Sequence, residues 1–182
     1  MKLQSLIAAT AVLALAAAPA FAQKKHTGKK KVADDSAFVT KAAKGGMAEV
    51  ELGKLATEKG SSDQVKQFGQ RMVDDHSKAN DELKTIAQQK NMTLPTEIGA
   101  KEKALRDRLT KLSGAAFDRA YMQAMLADHR TDVNEFRMES RSGTDTDIKG
   151  FATKTLPTLE EHLKMAQDTT KAVGTSGTMP KR

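Results

Sequence analysis

The chain has no cysteine and no tryptophan, and only one tyrosine, six phenylalanines and four prolines among 182 residues. The absence of cysteine excludes a disulfide framework, thiolate metal sites, a cysteine nucleophile and a lipidated N-terminal cysteine. The scarcity of aromatic and turn-forming residues argues against a sandwich, a barrel or any large sheet. Beyond residue 22, no apolar run approaches the roughly 20 residues that cross a bilayer. No Gly-x-Ser-x-Gly, glycine-rich phosphate loop or His-Glu-x-x-His occurs, and serines gather at helix starts. Hydrolase and transferase chemistry therefore finds no motif, and the expectation is a protein that is not an enzyme.

What is present points to helices. The Ala, Lys, Leu, Asp and Met content suits them, and the length gives one domain with a single modest core. Met1-Lys2, an apolar run from Leu3 to Ala18, the breaker Pro19 and the small-x-small Ala20-Phe21-Ala22 read as a signal peptide cleaved after Ala22. That predicts export to the periplasm and no membrane span in the mature protein. The mature chain of 160 residues carries a net charge of +6. Residues 23–33 form a leader that reads as disordered: its stretch from Gln23 to Lys31 contains Lys24, Lys25, Lys29, Lys30 and Lys31 and lacks apolar residues. Its charge fits a solvated segment or weak attraction to anionic envelope surfaces. No aromatic residue interleaves the lysines, and an exported chain does not meet nucleic acid.

Helical periodicity recurs in four long stretches. The first spans about 35–59, opened by Asp34 or Asp35 and closed at Gly60. The second spans about 62–90, ended by the segment containing Pro95; a short polar helix over 97–112 then crosses between two halves. The third spans about 115–141 and the fourth about 145–173, where Pro157 predicts a kink or restart. Residues 174–182 read as a frayed tail. Tight outer turns and one longer central connection predict an all-α, ferritin-like four-helix bundle over 34–173, with a short crossover helix between the second and third long helices.

Each helix carries one metal-competent side chain on its buried stripe, where an apolar residue is the default: Glu49, His76, His129 and His162. Each falls within about three residues of its helix midpoint, an axial spread of roughly 5 Å at 1.5 Å per residue. Antiparallel helices of equal length would bring all four into one layer. Two readings stand: a hydrogen-bonded network that specifies helix register, or a site for one transition metal ion (Zn, Fe, Mn or Cu). Asp75, Asp128, Glu160 and Glu161 flank the histidines as candidate supporting partners. Met72 and Met125 each precede a histidine by four, and Met165 follows His162 by three; thioether with imidazole suits copper, although methionine also fills gaps in cores. Met72-Val73-Asp74-Asp75-His76 and Met125-Leu126-Ala127-Asp128-His129 also share a pattern 53 residues apart, through duplication or convergent helix patterning.

The strings Gly46-Met47-Ala48-Glu49-Val50-Glu51-Leu52-Gly53-Lys54-Leu55-Ala56, Met72-Val73-Asp74-Asp75-His76-Ser77-Lys78-Ala79-Asn80, Phe117-Asp118-Arg119-Ala120-Tyr121-Met122 and Thr155-Leu156-Pro157-Thr158-Leu159 are together distinctive. They resemble a bacterial family, domain of unknown function 4142, whose members often carry an outer-membrane label. The resemblance runs from about Asp35 to Ala172 and implies a ferritin-like bundle of the periplasm or outer envelope, with no established activity. A spanning barrel needs alternating strands, which this chain does not offer. Ferritin-like di-iron sites use Glu-x-x-His on two helices. Here Val73, Leu126 and Leu159 stand three residues before the histidines, so the bridging carboxylates are missing. Three functions follow as alternatives: a non-enzymatic binding or envelope-stress protein, a metal-binding or redox protein with a His-rich site, and a peripheral adhesion protein acting through the leader.

Overall fold

The structure, a computed structural model, describes residues 34–175. The expected signal peptide (1–22), the lysine leader and residues 176–182 of the tail lie outside the described residues. Five helices make up the fold: α1 (Asp35–Lys59), α2 (Asp63–Gln89), α3 (Ala100–Thr110), α4 (Gly114–Ser142) and α5 (Thr146–Thr175). No strand occurs among the described residues. The long helices pair as two hairpins, α1 with α2 and α4 with α5. The hairpins meet through α2 against α5 and α1 against α4, while α3 crosses over and rests on α1 and α4. This is an all-α four-helix bundle with one crossover helix.

The helix ends follow local chemistry, with three departures from expectation. Asp34 caps α1, its Oδ1 accepting from the Ala37 amide at 3.1 Å, and Gly60 closes that helix. The crossover helix starts at Ala100 rather than 97, because Glu97 pairs with Lys103 and the segment after Pro95 stays irregular, anchored by buried Ile98. α5 neither stops nor restarts at Pro157. The proline sits on the exposed face, so the carbonyl it leaves without a helical donor can turn to water. Helix α5 also continues through Gly174 to Thr175, into the expected tail.

Glycine sets the spacing inside the first hairpin. A Cβ added at Gly69 would lie 2.8 Å from the Ala56 Cβ and 2.8 Å from the Gly53 carbonyl oxygen. One at Gly53 would lie 2.7 Å from the Gly69 carbonyl oxygen. The α1 and α2 backbones thus touch at a point where neither can carry a side chain.

The buried side chains form two apolar clusters. The first contains Leu52, Phe68, Met72, Phe117, Tyr121 and Met125, with α3 covering it through Leu109. The second contains Phe38, Leu83, Val133, Phe136, Phe151 and Leu159. On every long helix, one polar residue lies between the parts that serve the two clusters: Glu49, His76, His129 and His162. Each is within two residues of its helix midpoint. The polar layer is therefore the waist of the core.

Candidate metal centre

His76 on α2, His129 on α4 and His162 on α5 project into the bundle interior, and all three are buried. Their rings stand 5.4–5.9 Å apart, centroid to centroid. One nitrogen from each lies within 4.8 Å of those of the other two. Metal–nitrogen bonds of about 2.0–2.1 Å put ligand nitrogens about 3.3–3.5 Å apart, so rotamer adjustments of about an ångström would close the trio on one ion.

Hydrogen bonding fixes the tautomer of two of the rings. The Met125 carbonyl can only accept, so His129 Nδ1, at 2.9 Å, donates to it and leaves a lone pair on Nε2. His162 Nε2 lies 2.9 Å from Asp75 Oδ2 and donates to that carboxylate, leaving the lone pair on Nδ1. Arg71 holds the same Asp75 oxygen from the next turn of α2. The buried atoms without a hydrogen-bond partner include His76 Nε2, His129 Nε2 and His162 Nδ1. Carboxylate or carbonyl bonds behind the ring, with a bare lone pair in front, are how proteins orient metal-binding imidazoles.

Electrostatics keep these lone pairs unprotonated. Burial, reinforced by the neighbouring imidazoles His129 and His162, depresses the His76 pKa to about 3. Burial and His162 depress His129 to about 4 against the opposing Met125 hydrogen bond. Burial also lowers His162, with Asp75 opposing. Burial alone would raise the Asp75 carboxyl, yet His162 and Arg71 hold it below its ordinary value. At neutral pH the layer presents neutral rings backed by one ionised carboxylate.

Glu49 does not join the trio. Its Oε1 lies 3.8 Å from His129 Nδ1, the nitrogen already bonded to Met125, and not beside the free Nε2. Both carboxyl oxygens are buried without partners. Burial, with the charges of Asp128 and Asp132 and a side-chain contact to Asp128, pushes its pKa well above the carboxylate range and favours the protonated form. Of the flanking carboxylates, only Asp75 bonds a histidine. Asp128 lines an open cleft of about 460 Å³ beside α3. Glu160 pairs with Arg137 at 2.6 Å and Glu161 lies 3.7 Å from Arg71, both outside the core. Met72 and Met125 are buried in the cluster on one side of the layer, with Met165 packed against it.

One polar residue that periodicity did not single out is Asp118 on α4. It accepts from the Ser61 amide at 2.9 Å, the Ser61 hydroxyl at 2.6 Å and the Ser62 amide at 2.9 Å. It thereby caps α2 from another helix and sets that helix's height, and so the height of His76. The helical repeat gave no sign of this, because its partners are 57 and 56 residues away.

No curated protein matches the chain in sequence. Among solved structures, it is similar to a DUF305 protein from Streptomyces coelicolor, described as a candidate secreted protein. The TM-score is 0.65 at 14% identity, over 77% of this chain and 93% of that one. At that identity the likeness is one of fold. A family model described as a domain of unknown function, DUF4142, matches residues 17–169, and the chain belongs to that family.

Proposed function

We propose that this protein is an exported metal-binding bundle that holds one transition metal ion between His76, His129 and His162. The observation that carries the reading is the set of three buried imidazole nitrogens without a hydrogen-bond partner, two of them with lone pairs fixed by the bonds behind their rings. His129 Nε2 and His162 Nδ1 are both acceptors and His76 can bring at most one proton to them, so a purely hydrogen-bonded layer leaves at least one of them unsatisfied. A cation supplies what all three want at once. The donor set contains neutral imidazole and no carboxylate or thiolate, which suits copper or zinc better than manganese. Buried methionines on one side of the layer are compatible with copper. Export is supported by the signal-like residues 1–22. Candidate secretion of the Streptomyces protein of like fold is in keeping with it. No described helix is long and apolar enough to cross a membrane. A periplasmic ion-binding role is the form of this reading that fits the chain best.

The test is elemental analysis of the mature protein purified without chelator, with thermal melts before and after chelation. One ion per chain is expected, with a melting point that falls on its removal. His129→Ala and His162→Gln should each reduce occupancy at least tenfold. Full occupancy in both variants would overturn the reading. So would a metal-free wild type that added copper, zinc, iron and manganese all fail to stabilise.

A further inference from the structure

One ring of the trio is tied to the surface through charged groups. His162 is 1% exposed, the Asp75 carboxylate that accepts from its Nε2 is 17% exposed, and Arg71 beyond it is 47% exposed. These side chains run from the core to solvent along the contact between α2 and α5. Asp75 Oδ2 is shared, accepting from His162 at 2.9 Å and from the Arg71 guanidinium. Arg71 also lies 3.7 Å from Glu161 on the exposed side of α5. His129, by contrast, is backed by the uncharged carbonyl of Met125. Among the described residues, Asp75 is thus the carboxylate that hydrogen-bonds a ring of the trio.

We propose that the Arg71–Asp75 pair sets the charge preference of the centre: Asp75 favours a divalent over a monovalent ion, and Arg71 tempers that preference by drawing on the same oxygen. The inference rests on the metal-binding reading above. With a metal–nitrogen bond of about 2 Å, an ion on His162 Nδ1 stands roughly 6–7 Å from Asp75 Oδ2, across the ring. A carboxylate at that range attracts a doubly charged ion twice as strongly as a singly charged one, and burial leaves little water to screen it. The ring adds to this, because a proton given from Nε2 toward an anion makes Nδ1 a better electron-pair donor. Arg71 has the opposite sign and lies farther out, nearly half exposed, so its effect is the smaller. The two members of one ion pair therefore act on the ion in opposite directions. A bridge that only holds α2 against α5 would not do so.

The full mature chain is titrated with Zn(II), and without oxygen with Cu(I), each in competition with a chromophoric chelator. Asp75→Asn keeps an oxygen that can accept from His162 Nε2 but loses the charge. It should lose about tenfold or more in Zn(II) affinity and only about threefold in Cu(I) affinity. Arg71→Met keeps the apolar stem without the cation and should gain about threefold for Zn(II), while Arg71→Lys should stay within about twofold of wild type. Equal losses of Zn(II) and Cu(I) in Asp75→Asn would mean a displaced ring rather than a missing charge, and would overturn the inference. Unchanged or weaker Zn(II) binding in Arg71→Met would overturn it as well, and that variant decides the matter if Asp75→Asn does not fold. A wild type that takes up Cu(I) but no divalent ion overturns this inference and leaves the metal reading intact. Failure of the wild type to bind copper, zinc, iron or manganese overturns both readings together.

Discussion

At the start of α2, the free amides of Ser61 and Ser62 are met by Asp118 of α4, and Ser62 itself makes no side-chain cap bond. A buried carboxylate accepting three hydrogen bonds at a helix N-terminus also faces the positive end of that helix's dipole. Replacing it with alanine leaves two amides and a hydroxyl unpaired in a part-buried place. Asp118→Ala should therefore cost on the order of 3 kcal/mol, measured by urea denaturation, and Asp118→Asn about half that. A loss below 0.5 kcal/mol for Asp118→Ala would show that water replaces the carboxylate without penalty. The residues of the waist teach the opposite lesson about reach. Asp75 lies one position before His76 on the sequence yet bonds His162 on another helix. Glu160 and Glu161, two and one positions before His162, are turned about 200° and 100° away from it around the helix and pair with surface arginines.

At the scale of the helix, the first hairpin is set by backbone contact and the second by side chains. Gly69→Ala must push α1 from α2 against the Gly53 carbonyl and Ala56, and should cost about 2–3 kcal/mol, in the range of overpacked cores. Gly150 is the control: exposed on α5 with nothing near its would-be Cβ, so Gly150→Ala should stabilise by up to about 1 kcal/mol in the same denaturation assay. Helix number, order and most boundaries are legible in the sequence, because caps, glycines and the 3.6-residue repeat are local. The start of α3 is less so, since an irregular segment held by buried Ile98 obeys tertiary packing rather than propensity. The convergence of His76, His129 and His162 is legible from stripe and midpoint alone. The separation of Glu49 from them is not: its height matches, but which side of His129 it meets depends on how α1 packs on α4. Nor could the small cavity that His76 lines, with residues of all four long helices, be read in advance, since it is what imperfect filling among them leaves.

For the molecule as a whole, the waist couples stability to pH. A base with a depressed pKa in the fold takes its proton more readily once unfolded. The unfolded chain therefore binds the extra protons from near pH 6.5 down to about 4 for His129 and about 3 for His76. The contribution of these neutral rings is complete above pH 6.5 and is lost as the pH falls. For the metal-free protein each ring should account for about 2 kcal/mol of loss at pH 5 relative to pH 7. Glu139 has the opposite sign: burial and a bond to Asp35 raise its pKa to about 7, so its share is full below pH 4.5 and fades as pH rises through 7. Glu49 and Asp132, the latter raised to about 8, act in the same direction as Glu139, so the wild-type slope is a balance of the two sets. Relative to wild type, the change in urea midpoint from pH 7 to pH 5 should be less destabilising in His76→Leu and more destabilising in Glu139→Gln. A His76→Leu variant whose change from pH 7 to pH 5 equals that of wild type would show that the ring is solvated. The waist has one more consequence, for how the molecule comes apart. Two greasy halves meeting at a layer of unpaired acceptors amount to two cooperative blocks with a weak joint, and either can open while the other holds. An ion gripped by α2, α4 and α5 would rivet that joint, so that the bundle melts as a single block when loaded and in two steps when empty.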